Sequence, residues 1–140
     1  MKRSDINALL AEGDAFIRSF GYILPPFAYF SPAEMKTRRE QLAGVVTARL
    51  GWDVTDYGKG DFGRTGLFLF TVRNGDAADL ASGRGMLYAE KIMISRRDQR
   101  APMHRHDLKA EDIINRGGGT LALKLYMSAQ DGSIDRKARV

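Results

Sequence analysis

The sequence predicts a mainly β fold with helices at its N-terminus. Residues 5–20 and 32–50 carry helical periodicity with recognisable starts and stops, whereas after Trp52 the texture turns to β-branched and aromatic runs punctuated by glycine. Length supplies the third observation: 140 residues can bury one core but not two. A hydrophobic share of 44% and a charged share of 28% are those of a folded globular chain.

Residues 5–20 read as an amphipathic helix, capped by Ser4, striped by Ile6, Leu9, Leu10, Phe16, Ile17 and Phe20, and stopped at Gly21. The next stretch, 22–30, contains Pro25 and Pro26. Each proline lacks an N–H and biases its predecessor to extended geometry, so this stretch is expected to lie as an arm over the core. Ser31, Pro32 and Glu34 form a helix start with a capping box, and the helix is expected to run to about Leu50, with Met35, Leu42, Val45, Val46 and Leu50 on one face. Strands are expected over 66–73, closed by the Asn74-Gly75 turn signal, and over 86–95, 100–106 and 120–127, followed by a turn at Asp131-Gly132. In the second strand Tyr88, Glu90, Ile92 and Ile94 share one face and Leu87, Ala89, Lys91 and Met93 the other.

Without cysteine there is no disulfide and no thiolate ligand, which leaves imidazole and carboxylate as the strong metal-binding groups. The basic start is interrupted by Asp5, Asn7 and Glu12, unlike a signal peptide, and the longest apolar stretch, 66–72, is far too short to cross a bilayer. The expectation is a cytoplasmic protein with no membrane partner. A net charge of +5 and the grouping of Arg96, Arg97, Arg100 and Arg105 permit an acidic partner, but neither a recognition helix nor interleaved aromatics accompany that cluster. It reads as a solvated strand end, and no nucleic-acid partner is expected.

The chain has two histidines, and they form His104-Arg105-His106. In a strand a two-residue spacing puts both imidazoles on one face, and Glu111 follows closely enough to return a carboxylate to them. From the residues alone, a divalent-metal site and a surface histidine pair both stay open. The spacing His-x-His, four residues, Glu111, six residues, Gly118 resembles the first motif of the cupin barrels, although Asp98 stands where that motif carries a glycine.

Over a longer stretch the chain resembles the bacterial D-lyxose ketol-isomerases. The resemblance is carried by residues 88–94, by Pro102-Met103-His104-Arg105-His106, by the run Glu111-Asp112-Ile113-Ile114-Asn115-Arg116-Gly117-Gly118-Gly119, and by the Leu24-Pro25-Pro26-Phe27-Ala28 arm. It implies a cupin-like antiparallel β-barrel or jelly roll, with residues 1–51 packing on it as a helical segment and 52–140 carrying the first cupin motif. It also implies that the chain is truncated at its C-terminus, before a second motif with a further histidine ligand. The implied activity interconverts D-lyxose and D-xylulose, and D-mannose and D-fructose as a second pair, through an enediol.

In that reading His104, His106 and Glu111 hold a divalent ion, by expectation Mn²⁺, with Zn, Co or Fe as alternatives. The ion polarises the sugar carbonyl as a Lewis acid and stabilises the charge of the enediol step. Lys109 is the candidate for proton handling: in extended geometry it shares a face with Glu111, and the resemblance implies an active-site lysine there. Glu90 and Lys91 are candidates to touch substrate, since in an apolar strand one of them must face inward or snorkel. Gly117-Gly118-Gly119 lacks the Gly-Lys-Ser/Thr and helix of a phosphate loop and reads as a turn or bulge. Family resemblance and an unpaired edge at 120–127 suggest a homodimer. Two other functions are compatible with the residues: a non-catalytic truncated cupin that binds metal or sugar, and a zinc-type metallohydrolase using two histidines and a glutamate.

Overall fold

The computed structural model describes residues 1–107 and 110–140. The chain divides into two compact units, Met1–Arg105 and His106–Val140.

The first unit opens with α1 (Arg3–Ser19), one residue or two displaced from expectation at each end. Its N-cap is Lys2, not Ser4: the Lys2 N–H donates to the Asp5 carboxylate at 3.0 Å, and the Ser4 hydroxyl is turned to the same carboxylate. Gly21 ends it with φ 75°, as a left-handed cap requires. The arm is extended except for one 3₁₀ turn, Pro26–Tyr29. It is fastened in two ways. Leu24 is buried, and the Tyr29 hydroxyl donates to Asp14 on α1 while accepting from Arg18.

The single helix expected to run to Leu50 is instead two short ones, α2 (Pro32–Thr37) and α3 (Ala43–Thr47). The Ser31–Glu34 capping box is present, but the helix yields to turns over 38–42, where Leu42 is the buried anchor. Beyond it Gly44, Val45, Val46 and Thr47 have weak helix propensity, and Val46 is 62% exposed, so the expected common face does not form.

Three strands follow, β1 (Gly51–Thr55), β2 (Leu67–Arg73) and β3 (Glu90–Met93), in one antiparallel sheet with β2 in the middle. The Asn74-Gly75 pair does not make the expected tight hairpin. Gly75 instead donates to the Tyr88 carbonyl, and a four-residue helix, α4 (Ala77–Leu80), lies within the long connection to β3. Trp52, Phe68, Phe70, Ile92 and Ile94 face α1 and the arm, where Ile17, Leu24 and a fully buried Phe70 form the centre of the core. Gly13 lets α1 approach, since a Cβ there would stand 2.3 Å from the Phe68 ring.

The expected strand over 100–106 is absent. Arg100 bridges Thr65, and residues 101–106 have no regular structure. Likewise only Met127 of the expected 120–127 strand is paired, within β4 (Met127–Ser128), which lies against β5 (Ile134–Asp135) in the second unit. Strands exist where partners take up their backbone groups, and the apolar alternation alone does not supply one. The Asp131-Gly132 turn is as expected: Gly132 has φ 80°, and the Asp131 carboxylate accepts from the Ser133 N–H. The described residues therefore form a helix-containing antiparallel β structure, and they do not close a barrel.

Candidate active site

His104 belongs to the first unit. Its Nδ1 lies 2.9 Å from the Pro102 carbonyl, which can only accept, so Nδ1 carries a proton and, in the neutral ring, Nε2 is the nitrogen left to ligate. A backbone carbonyl fixing the tautomer in this way is a usual support for a metal-binding imidazole. The reason given by the sequence for pairing His104 with His106 does not hold, because neither residue lies in a strand.

In the second unit His106 and Glu111 come together, with Nε2 and Oε2 3.4 Å apart. Two ligands each about 2.1 Å from one cation, at tetrahedral or octahedral angles, stand roughly 3.0–3.4 Å from each other. The pair therefore fits two positions of a divalent ion; the same distance also suits an imidazolium–carboxylate contact. Among the described residues of either unit, no three His, Asp or Glu side chains gather for one cation. Lys109 lies outside the described residues.

The following loop is shaped by Asn115, whose amide donates to the Gly119 carbonyl while its oxygen accepts from the Gly117 N–H. Gly117 and Gly118 have φ 131° and 86°, so the glycine run is a turn, as its sequence indicates. On the same unit the Tyr126 hydroxyl is held below its usual pKa by a hydrogen bond with Lys124 and by the charges of Lys124 and Arg136.

Glu90 and Lys91 separate. Glu90 meets Arg73 at 3.4 Å across a register shift in the β2–β3 ladder, and Arg73 also donates to the Tyr88 hydroxyl. Lys91 pairs with Thr71 on the sheet face turned away from α1. The arginine cluster is partly structural: Arg96 pairs with Glu12 of α1 and lies over the Phe62 ring. A shallow concavity of about 420 Å³ beside that pair is lined by Asp5, Glu12, Asp56 and Phe62 among others, and none of the candidate ligands lines it. Asp53 and Thr71, to which the sequence assigned nothing, share the face of Lys91. Only the pairing register reveals this, and one sequence does not encode register in readable form. No helix among the described residues is long and apolar enough to cross a membrane.

A family model described as D-lyxose isomerase matches residues 1–140. A D-lyxose/D-mannose isomerase of Serratia proteamaculans is 48% identical over 127 residues, which is 90% of this chain and 55% of that protein. Another of that description, from Escherichia coli O157:H7, is 46% identical over 127 residues with the same coverage. The chain thus spans about half the length of the curated relatives it matches.

Proposed function

Because the chain belongs to the D-lyxose isomerase family, we propose that it acts in a metal-dependent aldose–ketose isomerisation between D-lyxose and D-xylulose, and between D-mannose and D-fructose as a second pair. The observation that carries this reading is the family match over the whole chain, joined to the local approach of His106 and Glu111.

In this proposal the chain belongs to the cupin type of fold, and His104, His106 and Glu111 are the ligands of a divalent ion, Mn²⁺ by preference. Imidazole and carboxylate without thiolate suit that choice. The bound ion would supply Lewis-acid polarisation of the sugar carbonyl. The chain's own residues do the rest. The Pro102 carbonyl keeps His104 in its ligating tautomer, and Glu111 brings negative charge against His106. Isomerisation removes a proton from C2 and protonates the carbonyl oxygen O1 to give an enediol; a proton then returns to C1 as the O2 hydroxyl gives up its own to become the ketone. Lys109 is proposed as the group that handles this proton, on sequence grounds: it stands two positions before Glu111.

The test is conversion of D-lyxose by the chain with added Mn²⁺, read by a ketose-specific assay. Turnover is expected to need the metal. His106→Ala is expected to lower it by at least about a hundredfold, since even loss of an outer support of a metal ligand costs 10–100-fold. Metal-independent turnover, or full activity in His106→Ala, would sink the reading. Product identity separates it from hydrolysis.

A further inference from the structure

The segment that carries His104 leaves the first unit from a small clamp of hydrogen bonds. Residues 96–99 make a turn: the Gln99 N–H donates to the Arg96 carbonyl at 3.1 Å, and Asp98 has φ 58°, a left-handed conformation that aspartate tolerates. The half-buried Gln99 side chain closes this turn and ties it to a second loop. Its oxygen accepts from the Arg96 N–H at 3.1 Å, and its amide nitrogen donates to the Phe62 carbonyl. One residue further on, Arg100 joins the same loop by backbone alone. Its N–H donates to the Arg64 carbonyl at 3.0 Å, and its carbonyl accepts from the Gly66 N–H at 3.2 Å. Gly66 makes the room, since a Cβ there would stand 2.7 Å from both Gln99 Nε2 and Phe62 Cδ2.

Between this clamp and the imidazole the chain is stiff. Ala101 precedes Pro102 and is thereby held to extended geometry, and the Pro102 ring fixes its own φ. The His104 ring is bonded back to the Pro102 carbonyl through Nδ1 at 2.9 Å. Met103 is therefore the softest joint between Arg100 and the ring. A stiff segment transmits placement: the direction in which Arg100 leaves the 62–66 loop sets where the ring comes to stand. Residues 101–106 have no strand pairing to hold them, so the anchor at their start carries that duty.

We propose that Gln99 is the positioning residue of His104: its amide locks the 96–99 turn to the 62–66 loop and so fixes the departure of the segment that presents the imidazole. The proposal rests on the reading of His104 as a metal ligand and adds the part that aims it. A glutamine serves here because one planar group offers both an acceptor for the Arg96 N–H and a donor for the Phe62 carbonyl. A carboxylate could not donate, and an ammonium could not accept. Without the amide both backbone groups lose their partner in a half-buried place, and the turn is free to open. Freeing the backbone of one residue multiplies its accessible conformations roughly tenfold, and affinity for a ligand that needs one of them falls by the same factor.

The experiment compares the wild-type 140-residue chain with Gln99→Ala, Gly66→Ala and Leu24→Ala, the last a control that weakens the buried core outside the clamp. Two quantities are measured well below each melting temperature: backbone NMR order parameters of the metal-free chain, and the Kd for Mn²⁺ by calorimetry. In Gln99→Ala the order parameters at Ala101, Met103 and His104 should fall from about 0.85 to below about 0.6. The Mn²⁺ Kd should rise about tenfold. Gly66→Ala displaces the same amide without removing it and should do likewise, so it carries the comparison if Gln99→Ala does not fold. Leu24→Ala should melt lower and leave both quantities unchanged. Order parameters that stay high in the clamp variants, an unaltered Kd, or the same loss in Leu24→Ala would overturn the positioning role; where wild type binds Mn²⁺, the metal reading still stands. Loosening at 101–104 in the clamp variants alone, in a chain whose wild type binds no Mn²⁺, would uphold the positioning role and sink the metal reading.

Discussion

Ser31 and Glu34 hold the start of α2 through three hydrogen bonds that run in both directions. The Ser31 N–H and hydroxyl both reach the Glu34 carboxylate at 2.8 Å, and the Glu34 N–H donates back to the Ser31 oxygen. These bonds to the ionised form hold the Glu34 carboxyl below its ordinary pKa. A carboxyl depressed in the folded state stabilises the fold above its unfolded pKa, and that contribution is lost as pH falls through the folded value. Wild type should therefore melt higher than Glu34→Gln at pH 6, with the gap closing as pH drops below about 4. Circular-dichroism melts at several pH values check it; a gap independent of pH would count against the assignment. This cap was legible in the sequence because it is a local pattern of three residues. The relation of His104 to His106 was not, because it was argued from a strand whose existence depends on distant pairing.

At the level of elements, α1 was legible because it has a clean helical period and a glycine stop, and β2 because it is an unbroken apolar and aromatic run. The helix expected over 32–50 was misread because a cap predicts where a helix begins, not how far tertiary packing lets it run; Leu42 is buried from a turn. Of the strands expected over 100–106 and 120–127 the second had the apolar alternation, but outside a bridge at Arg100 and the pairing of Met127 neither has a partner among the described residues. The contact between α1 and β2 yields a prediction of its own. Gly13→Ala should add about 1 kcal/mol of helix propensity. It also drives a methyl to within 2.3 Å of Phe68 Cζ and 3.1 Å of Ile94 Cδ1. The Phe68 ring is boxed between Trp52 at 5.3 Å and Phe62 at 6.3 Å and cannot swing clear cheaply. Overpacking of this kind costs about 1–3 kcal/mol. The expected outcome is a lower melting temperature despite the better helix former; a rise would show that α1 stands off the sheet.

Across the whole molecule, stability should follow the distribution of paired backbone and buried apolar surface. In Met1–Arg105, β2 is paired on both sides and its Phe68, Leu69, Phe70 and Thr71 are all buried, against a core that Ile17 and Leu24 complete. In His106–Val140 the regular structure among described residues is one pairing of two-residue strands. A lone two-stranded hairpin is marginal in water, and amides open at a free energy set by the unit that buries them. Hydrogen exchange should therefore be slowest at Phe68 and Phe70, whose amides lie in the doubly paired strand, and far faster at Ala129 and Ser133 beside the β4–β5 turn. Mass spectrometry of peptides spanning 66–73 and 126–136 reads the contrast directly. Equal protection in the two peptides would mean that the second unit gains its order from contacts other than its own hairpin, and the assignment of the dominant core to β2 would have to be withdrawn.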